Sequence, residues 1–365
     1  MKIAIAGAGL SGRLLAFILS HQHEVSVFDP ATDSQQHLAA GWTAAGMLSP
    51  LAELESSNLD VYRLGQRSIQ LWSQLQAFLL QQNQQQLDDS NNLELKLNGS
   101  LMVAHRGDEG AADRLISLLS HKAPKDDLPT PITIEQLKQL EADIHGPAHA
   151  WLLQKEGQIN TVRAMSVLQR QASNVHWHWG QTVTQLKPHR IRLDDNSEHE
   201  FDWVFDCRGV GARRFKSANP HSLSCQNVRG VRGEVLWLQT SEVKLQRPIR
   251  LLHPRYRVYI VHRAPDLLVV GASELESEDR SPISVRTCVE LLTAAHSVLP
   301  GIAEARIIHT ETNLRPALVD NLPRIENETG LTRINGLFRH GWLISPALIE
   351  QALQAIWPDQ ALLPL

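Results

Sequence analysis

Gly7, Gly9 and Gly12 in GAGLSG, followed by Asp29, are the first residues in the chain whose types and spacing carry chemistry. A glycine turn that opens a helix presents free N–H groups and the positive end of the helix dipole, which suit a phosphate anion. In such a turn Gly7 makes the tight bend, Gly9 lets a pyrophosphate approach the backbone, and Gly12 lets helix and strand pack closely. Asp29 can then accept hydrogen bonds from a ribose hydroxyl. The surrounding pattern agrees. KIAIA (2–6) reads as a buried strand, Leu14, Leu15, Phe17, Ile18 and Leu19 as the apolar side of a helix, and EVSVFD, ending at Asp29, as a second strand. These residues predict dinucleotide binding and do not separate FAD from NAD.

A second stretch, AGWTAAGMLSP (40–50), keeps its backbone bare. Ala40, Gly41, Thr43, Ala44, Ala45 and Gly46 lead into Met47 and Leu48 with neither a helical stripe nor a strand alternation. Other candidates carry less. His176 and His178 in HWHW share one face of a strand, but no third ligand stands at a recognisable spacing, so no metal site is expected. Cys207, Cys225 and Cys288 form an odd set without CxxC, which reads as reduced thiols, with Cys207 packing in a buried strand. The basic stretches RPIRLLHPRYR (247–257) and ARRFK (212–216) read as solvated faces.

The elements that must position these residues are those of an ordinary globular protein. The 365 residues suit about two domains, and 42% apolar with 20% charged residues supports a sizeable core. A net charge of −4 gives no general drive toward nucleic acid or anionic membrane. The apolar run at 3–19 is interrupted by Gly7, Gly9, Ser11, Gly12 and Arg13, and no stretch approaches the ~18 apolar residues of a membrane span, so a cytoplasmic protein is expected. Further along, the periodicity predicts helices over 58–80, 111–121, 161–172 and 284–298, and a polar connection over 81–92. Strands are expected at 93–104 and 149–154, and Thr133 with Gln136 predicts a capping box for a helix to about 142. DWVFDCRGVGA (202–212) reads as a buried strand entering a second glycine turn, and 228–275 as an antiparallel sheet. The last helix is expected over 346–357, with Ser345 and Pro346 as its start.

Several separated stretches point to one family: AAGMLSPLAE (44–53), GQIN (157–160), FDCRGVGA (205–212), VRGEVL (231–236), YIVHR (259–263), VVGASE (269–274), LRPALVDNLPRI (314–325) and GLFRHGWLISPA (336–347). Together they resemble the FAD-dependent D-amino-acid oxidase superfamily and, within it, the bacterial glycine oxidases of thiamine biosynthesis. The resemblance implies an α/β fold, with a Rossmann-like dinucleotide-binding FAD domain (1–84, 149–225 and 308–365) and an interleaved antiparallel-sheet substrate domain (85–148 and 226–307). It implies noncovalent FAD. Thr43, Ala44, Ala45, Gly46 and Met47 would lie along the flavin, where a large side chain would clash with the flat ring. Val183 would meet the adenine through its main chain, Gly209 would approach the cofactor, and His340, Gly341, Trp342 and Leu343 would form a loop whose N–H groups face the flavin.

By the same resemblance the reaction is oxidation of a small amine by hydride transfer from its Cα to the flavin. Hydrolysis of the imine and reoxidation by O2 to hydrogen peroxide would follow. Such a site needs a cation for the substrate carboxylate. Arg315 matches that position, with Tyr259 adding its hydroxyl, Arg339 a second charge, and Met47 and Glu53 the pocket edge. Glycine, sarcosine and D-alanine are the substrates implied, and a homo-oligomer is implied without any residue that fixes it. Arg257 and His262 depart from the family pattern, and Trp342 either narrows the pocket or packs beside it. Three readings stay open beside an oxidase: a D-amino-acid dehydrogenase passing electrons to a quinone, an enzyme oxidising a modified tRNA uridine, and a flavin-binding module without catalysis.

Overall fold

The computed structural model describes residues 1–82, 89–213, 224–255 and 257–358. Residues 83–88 of the polar connection, the boundary expected at 84 and 85, residues 214–216 of the ARRFK cluster and Tyr256 lie outside the described residues.

Lys2–Ala6 sits inside a six-stranded sheet ordered Arg324–Glu328, Leu331–Asn335, Trp203–Asp206, Lys2–Ala6, Glu24–Asp29 and Val175–Trp179. All neighbours pair in parallel except Arg324–Glu328, which closes one edge antiparallel. Ile3, Ala4 and Ile5 are each fully buried, which is why the strand reads as a continuous apolar run. Helix Leu10–Ser20 follows at once. A Cβ at Gly12 would stand 1.8 Å from the Gly7 carbonyl oxygen, so this approach of helix to turn requires glycine. Helices Thr161–Gln171 and Gly341–Ile356 pack against it, and Leu59–Gln82 packs on Gly341–Ile356.

A second, eight-stranded sheet runs Arg306–Ala317, Arg229–Gln239, Leu267–Gly271, Arg257–Ala264, Ile249–Leu252, Ser100–Ala104, His149–Leu153 and Thr130–Ile132. It is antiparallel except where Ile249–Leu252 meets Ser100–Ala104. Its core forms against helix Val285–Val298 and against Ile134–Leu140, whose capping box at Thr133 and Gln136 is present in full.

Three expectations are corrected. Only Ser100–Ala104 of 93–104 is a strand, because Glu94 and Gly99 take positive φ values of 52° and 90° that break the extended run. The bare stretch at 40–50 begins as one helical turn, Ala40–Thr43, and continues into the two-residue strand Met47–Leu48. The last helix begins at Gly341, five residues before Pro346, so Gly341, Trp342 and Leu343 form its first turn and not a loop. Proline at 346 removes the N–H that the Trp342 carbonyl would accept. Trp72 Nε1 donates to that carbonyl at 2.9 Å, and the two indoles stack with centroids 5.6 Å apart. The helix therefore runs through Pro346 because another helix supplies the missing donor.

Trp72→Phe should leave the Trp342 carbonyl buried and unpaired, at a cost of about 1–3 kcal/mol. Urea unfolding of the variant checks this; an unchanged midpoint would show that the donor is dispensable.

Candidate active site

A cavity of about 1300 Å³ extends from the Gly7 turn, past the 39–47 segment, to side chains of the eight-stranded sheet. Two helices start on its wall, Leu10–Ser20 after Gly9 and Gly341–Ile356 after His340, and neither has a side-chain cap for its first N–H groups. Uncapped helix starts on a cavity wall suit anionic groups. Asp29 lines the cavity between them. Its Oδ2 accepts from the Ala8 N–H at 2.6 Å and its Oδ1 from the Ala31 N–H at 2.9 Å. The acid thus pins the glycine turn, and the remaining lone pair on each oxygen is what a ribose hydroxyl would find. Gly209 lines the wall opposite with φ +54°. The Val183 carbonyl accepts from Arg208 Nη1 at 2.8 Å, so its main chain is already part-engaged.

The bare segment is held from behind. Gly46 has φ +79°, and a Cβ there would meet the Ile159 carbonyl oxygen at 2.1 Å. The chain itself, through Ile159 just past strand Gly157–Gln158, thus already requires a glycine at position 46. Thr161 Oγ1 donates to the Ala44 carbonyl at 3.0 Å, and Asn313 Nδ2 donates to Thr43 Oγ1 at 3.2 Å. Arg263, 4% exposed, donates to the Ala44 and Ala45 carbonyls at 3.1 and 3.3 Å and lies over the Trp237 ring. Burial lowers its pKa to about 10, against the pull of Tyr259, Glu311 and Glu94. Sequence reasoning gave Arg263 no role; its one signal was a charge at the end of the quoted stretch YIVHR.

At the other end, Arg315 and Tyr259 line the cavity from strands of the eight-stranded sheet that have Arg229–Gln239 and Leu267–Gly271 between them. Arg315 Nη1 donates to the Ser273 and Arg232 carbonyls at 3.0 and 3.2 Å, and among the described residues no carboxylate pairs with it. Burial lowers its pKa, the first sign of a cation short of counter-charge. Burial likewise raises the Tyr259 hydroxyl, against the pull of Arg315, so the group stays a donor. Two glycines make room for both groups. A Cβ at Gly233 would come within 2.4 Å of the Arg315 guanidinium, and one at Gly271 within 2.6 Å of the Tyr259 hydroxyl. Both glycines stand in quoted family stretches, VRGEVL and VVGASE, yet only the packing reveals their purpose.

Arg339 differs from Arg315. Its Nε lies 3.0 Å from Glu53 Oε2, and its Nη1 lies 3.2 Å from Glu274. Arg250 Nη2 pairs with Glu53 Oε1 at 2.7 Å, and His340 Nδ1 lies 3.0 Å from Oε2 without hydrogen-bond alignment. Burial alone would raise the Glu53 carboxyl; Arg339 and Arg250 overcome it and hold the group well below the usual range. The charge of Arg339 is therefore neutralised inside the wall. Arg250 and Arg247, the latter paired with Glu141 at 3.2 Å, are half-buried and paired with buried carboxylates, which corrects the reading of the first part of 247–257 as a solvated face; Arg255 and Arg257 are exposed as expected. Met47 lines the cavity within an apolar cluster of Ala45, Val235, Val261 and Val269. Trp342 is 3% exposed, donates to the Gly41 carbonyl at 2.9 Å and packs on Trp72 beneath the floor. Leu343 is buried in the same core, and His340 is buried against Glu53. Among the described residues no group of His, Cys, Asp or Glu is placed to hold a metal ion, and no helix is long and apolar enough to cross a membrane.

The sequence profile of the FAD dependent oxidoreductase family matches residues 2–352. The chain belongs to that family. FAD is accordingly the dinucleotide, and the protein is a FAD-dependent oxidoreductase of the glycine oxidase and ThiO type. It is 32% identical, over 99% of this chain and 98% of the relative, to a Rhizobium etli protein named as the thiamine biosynthesis oxidoreductase ThiO. A glycine oxidase structure from Geobacillus kaustophilus superposes with a TM-score of 0.81 at 22% identity, covering 99% and 96% of the two chains. An iminodiacetate oxidase from Chelativorans gives 0.80 at 21%, covering 100% and 97%. The bare 44–47 segment, the two uncapped helix starts and Asp29 are cavity features that could hold such a cofactor.

Glu53→Gln should cost about 3 kcal/mol at neutral pH, because it strands buried cations. A carboxyl held below its unfolded value stabilises the fold above the ordinary pKa of about 4.3, and that contribution is lost as pH falls. The deficit of the variant should therefore shrink below about pH 4. Urea unfolding at neutral and acid pH measures it, and a deficit independent of pH would contradict the ion network.

Proposed function

We propose that this flavoenzyme oxidises glycine, and with it sarcosine and D-alanine. Glycine, O2 and water would give glyoxylate, ammonia and hydrogen peroxide, as a step serving thiazole formation in thiamine biosynthesis. The observation that carries this reading is Arg315, a half-buried guanidinium without a carboxylate partner among the described residues, facing the same cavity as the Tyr259 hydroxyl. A substrate carboxylate completes that pair. The planar fork of Arg315 takes it with two hydrogen bonds, and Tyr259 donates a third.

Bound FAD supplies the acceptor for the two electrons and hydrogen leaving the substrate Cα. The chain's own part is orientation and exclusion of water. Arg315 and Tyr259 fix the carboxylate end, and Ala45, Met47, Val235 and Val261 give the Cα an apolar surrounding. Arg339, paired with Glu53 and Glu274, contributes shape, whereas Arg315 beside Tyr259 has no carboxylate partner among the described residues. The division into an FAD-binding part (1–84, 149–225, 308–365) and a substrate-binding part (85–148, 226–307) belongs to the same proposal. The likeness to ThiO supports the thiamine role.

Anaerobic mixing with glycine, sarcosine and D-alanine should bleach the flavin, and admission of air should release one equivalent of peroxide per turnover. Arg315→Ala should weaken productive binding by about 10²–10³-fold. Bleaching without peroxide would favour the dehydrogenase reading, and a wild-type KM in Arg315→Ala would reject the carboxylate anchor.

A further inference from the structure

The cavity is strongly basic in a net-acidic chain. Nine arginines and four carboxylates line it, an excess of five positive charges, whereas the whole chain carries −4. The pyrophosphate of FAD accounts for about two of these and one substrate carboxylate for one more. The rest of the excess lies toward one opening, between helix Glu109–Lys122 and the start of strand Arg257–Ala264.

Arg257 and Tyr259 are two residues apart on that strand, so their side chains share a face, with Arg257 about 6.7 Å nearer the opening. Both line the cavity, as do Arg255 beside them and Arg114 on the facing helix. The Arg114 and Arg255 side chains have no carboxylate partner among the described residues and are exposed. Arg257 meets Glu55 at 3.3 Å, but its side chain is 57% exposed, so that pair is weak and exchangeable. The nearby acids are otherwise committed: Glu53 to Arg250 and Arg339, and Glu274 to Arg339. Among the histidines of this rim, His121 Nδ1 is engaged with the Ser117 carbonyl of its own helix. Three exposed guanidiniums thus line the same cavity as Arg315 and Tyr259.

We propose that this rim is a second anion subsite, and that the enzyme prefers amines bearing two carboxylates. One carboxylate would sit on Arg315 and Tyr259, and the other on Arg257, Arg255 and Arg114. The second group rides on the amine nitrogen or on the side chain, on the side of the reacting Cα that faces solvent. This rests on the reading of Arg315 as carboxylate anchor.

Calorimetric titration of the FAD-loaded enzyme with glutarate and with valerate, which differ by one terminal carboxylate, tests the subsite apart from turnover. Glutarate should bind about tenfold more tightly. The double variant Arg255→Gln, Arg257→Gln should bring the two ligands to equal affinity, and Arg257→Lys should keep part of the difference. In steady state the ratio of kcat/KM for N-(carboxymethyl)glycine over sarcosine should fall about tenfold in the double variant. Equal binding of glutarate and valerate by the wild type, or an advantage that survives the double variant, overturns the subsite and leaves the anchor standing. Failure of both ligands to bind overturns the Arg315 anchor, and the subsite with it.

Discussion

A guanidinium drawn partly out of water with no carboxylate partner among the described residues is costly, and several features of the cavity wall hold one there. Arg315 leans on two main-chain carbonyls, Ser273 and Arg232, which stabilise the cation without cancelling its charge. Gly233 gives it room, and the twelve-residue strand that carries it is paired along its length with Arg229–Gln239. An internal salt bridge would have been more stable and useless for binding. Leaving the charge without a carboxylate beside it makes this the point of the wall where an anion would gain most, which is why the proposed function rests on it.

The other cations of the wall show why the arrangement is selective. Arg339, Arg250 and His340 all gather on Glu53, and Arg339 reaches Glu274 as well. Glu53 and Glu274 between them thus pair both Arg250 and Arg339, so neither stands in the cavity as a free charge. Arg263 also lies buried beside the site, yet it faces the Ala44 and Ala45 carbonyls and stiffens the segment that fits the flavin. Arginines of one chemical type therefore perform three tasks, decided by whether carbonyls, carboxylates or open cavity face each fork.

How much of this was legible in the residues follows from how local each determinant is. GAGLSG, its flanking strands and Asp29 declare themselves because the whole device lies within residues 2–29 of the chain. The family stretches carried the fold and the FAD. Long-range contacts were opaque. Gly46 is bare because Ile159, more than a hundred residues on, occupies the space, and Pro346 sits inside a helix because Trp72 replaces its N–H. The basic run at 247–257 looked solvated because its buried partners, Glu53 and Glu141, lie far away in sequence. Spacing could not show that Arg339 is neutralised while Arg315 is not, although both stand in quoted stretches near the C-terminus.

The charge on a small ligand tests that distinction most directly. Acetate and acetamide have nearly the same shape and differ in charge, so their binding to the FAD-loaded enzyme, followed by calorimetry, isolates the uncompensated guanidinium. Acetate should bind and acetamide should be at least tenfold weaker, with the preference abolished in Arg315→Gln. Equal affinity for the two ligands in the wild type, or a preference for acetate that persists in Arg315→Gln, would contradict the account.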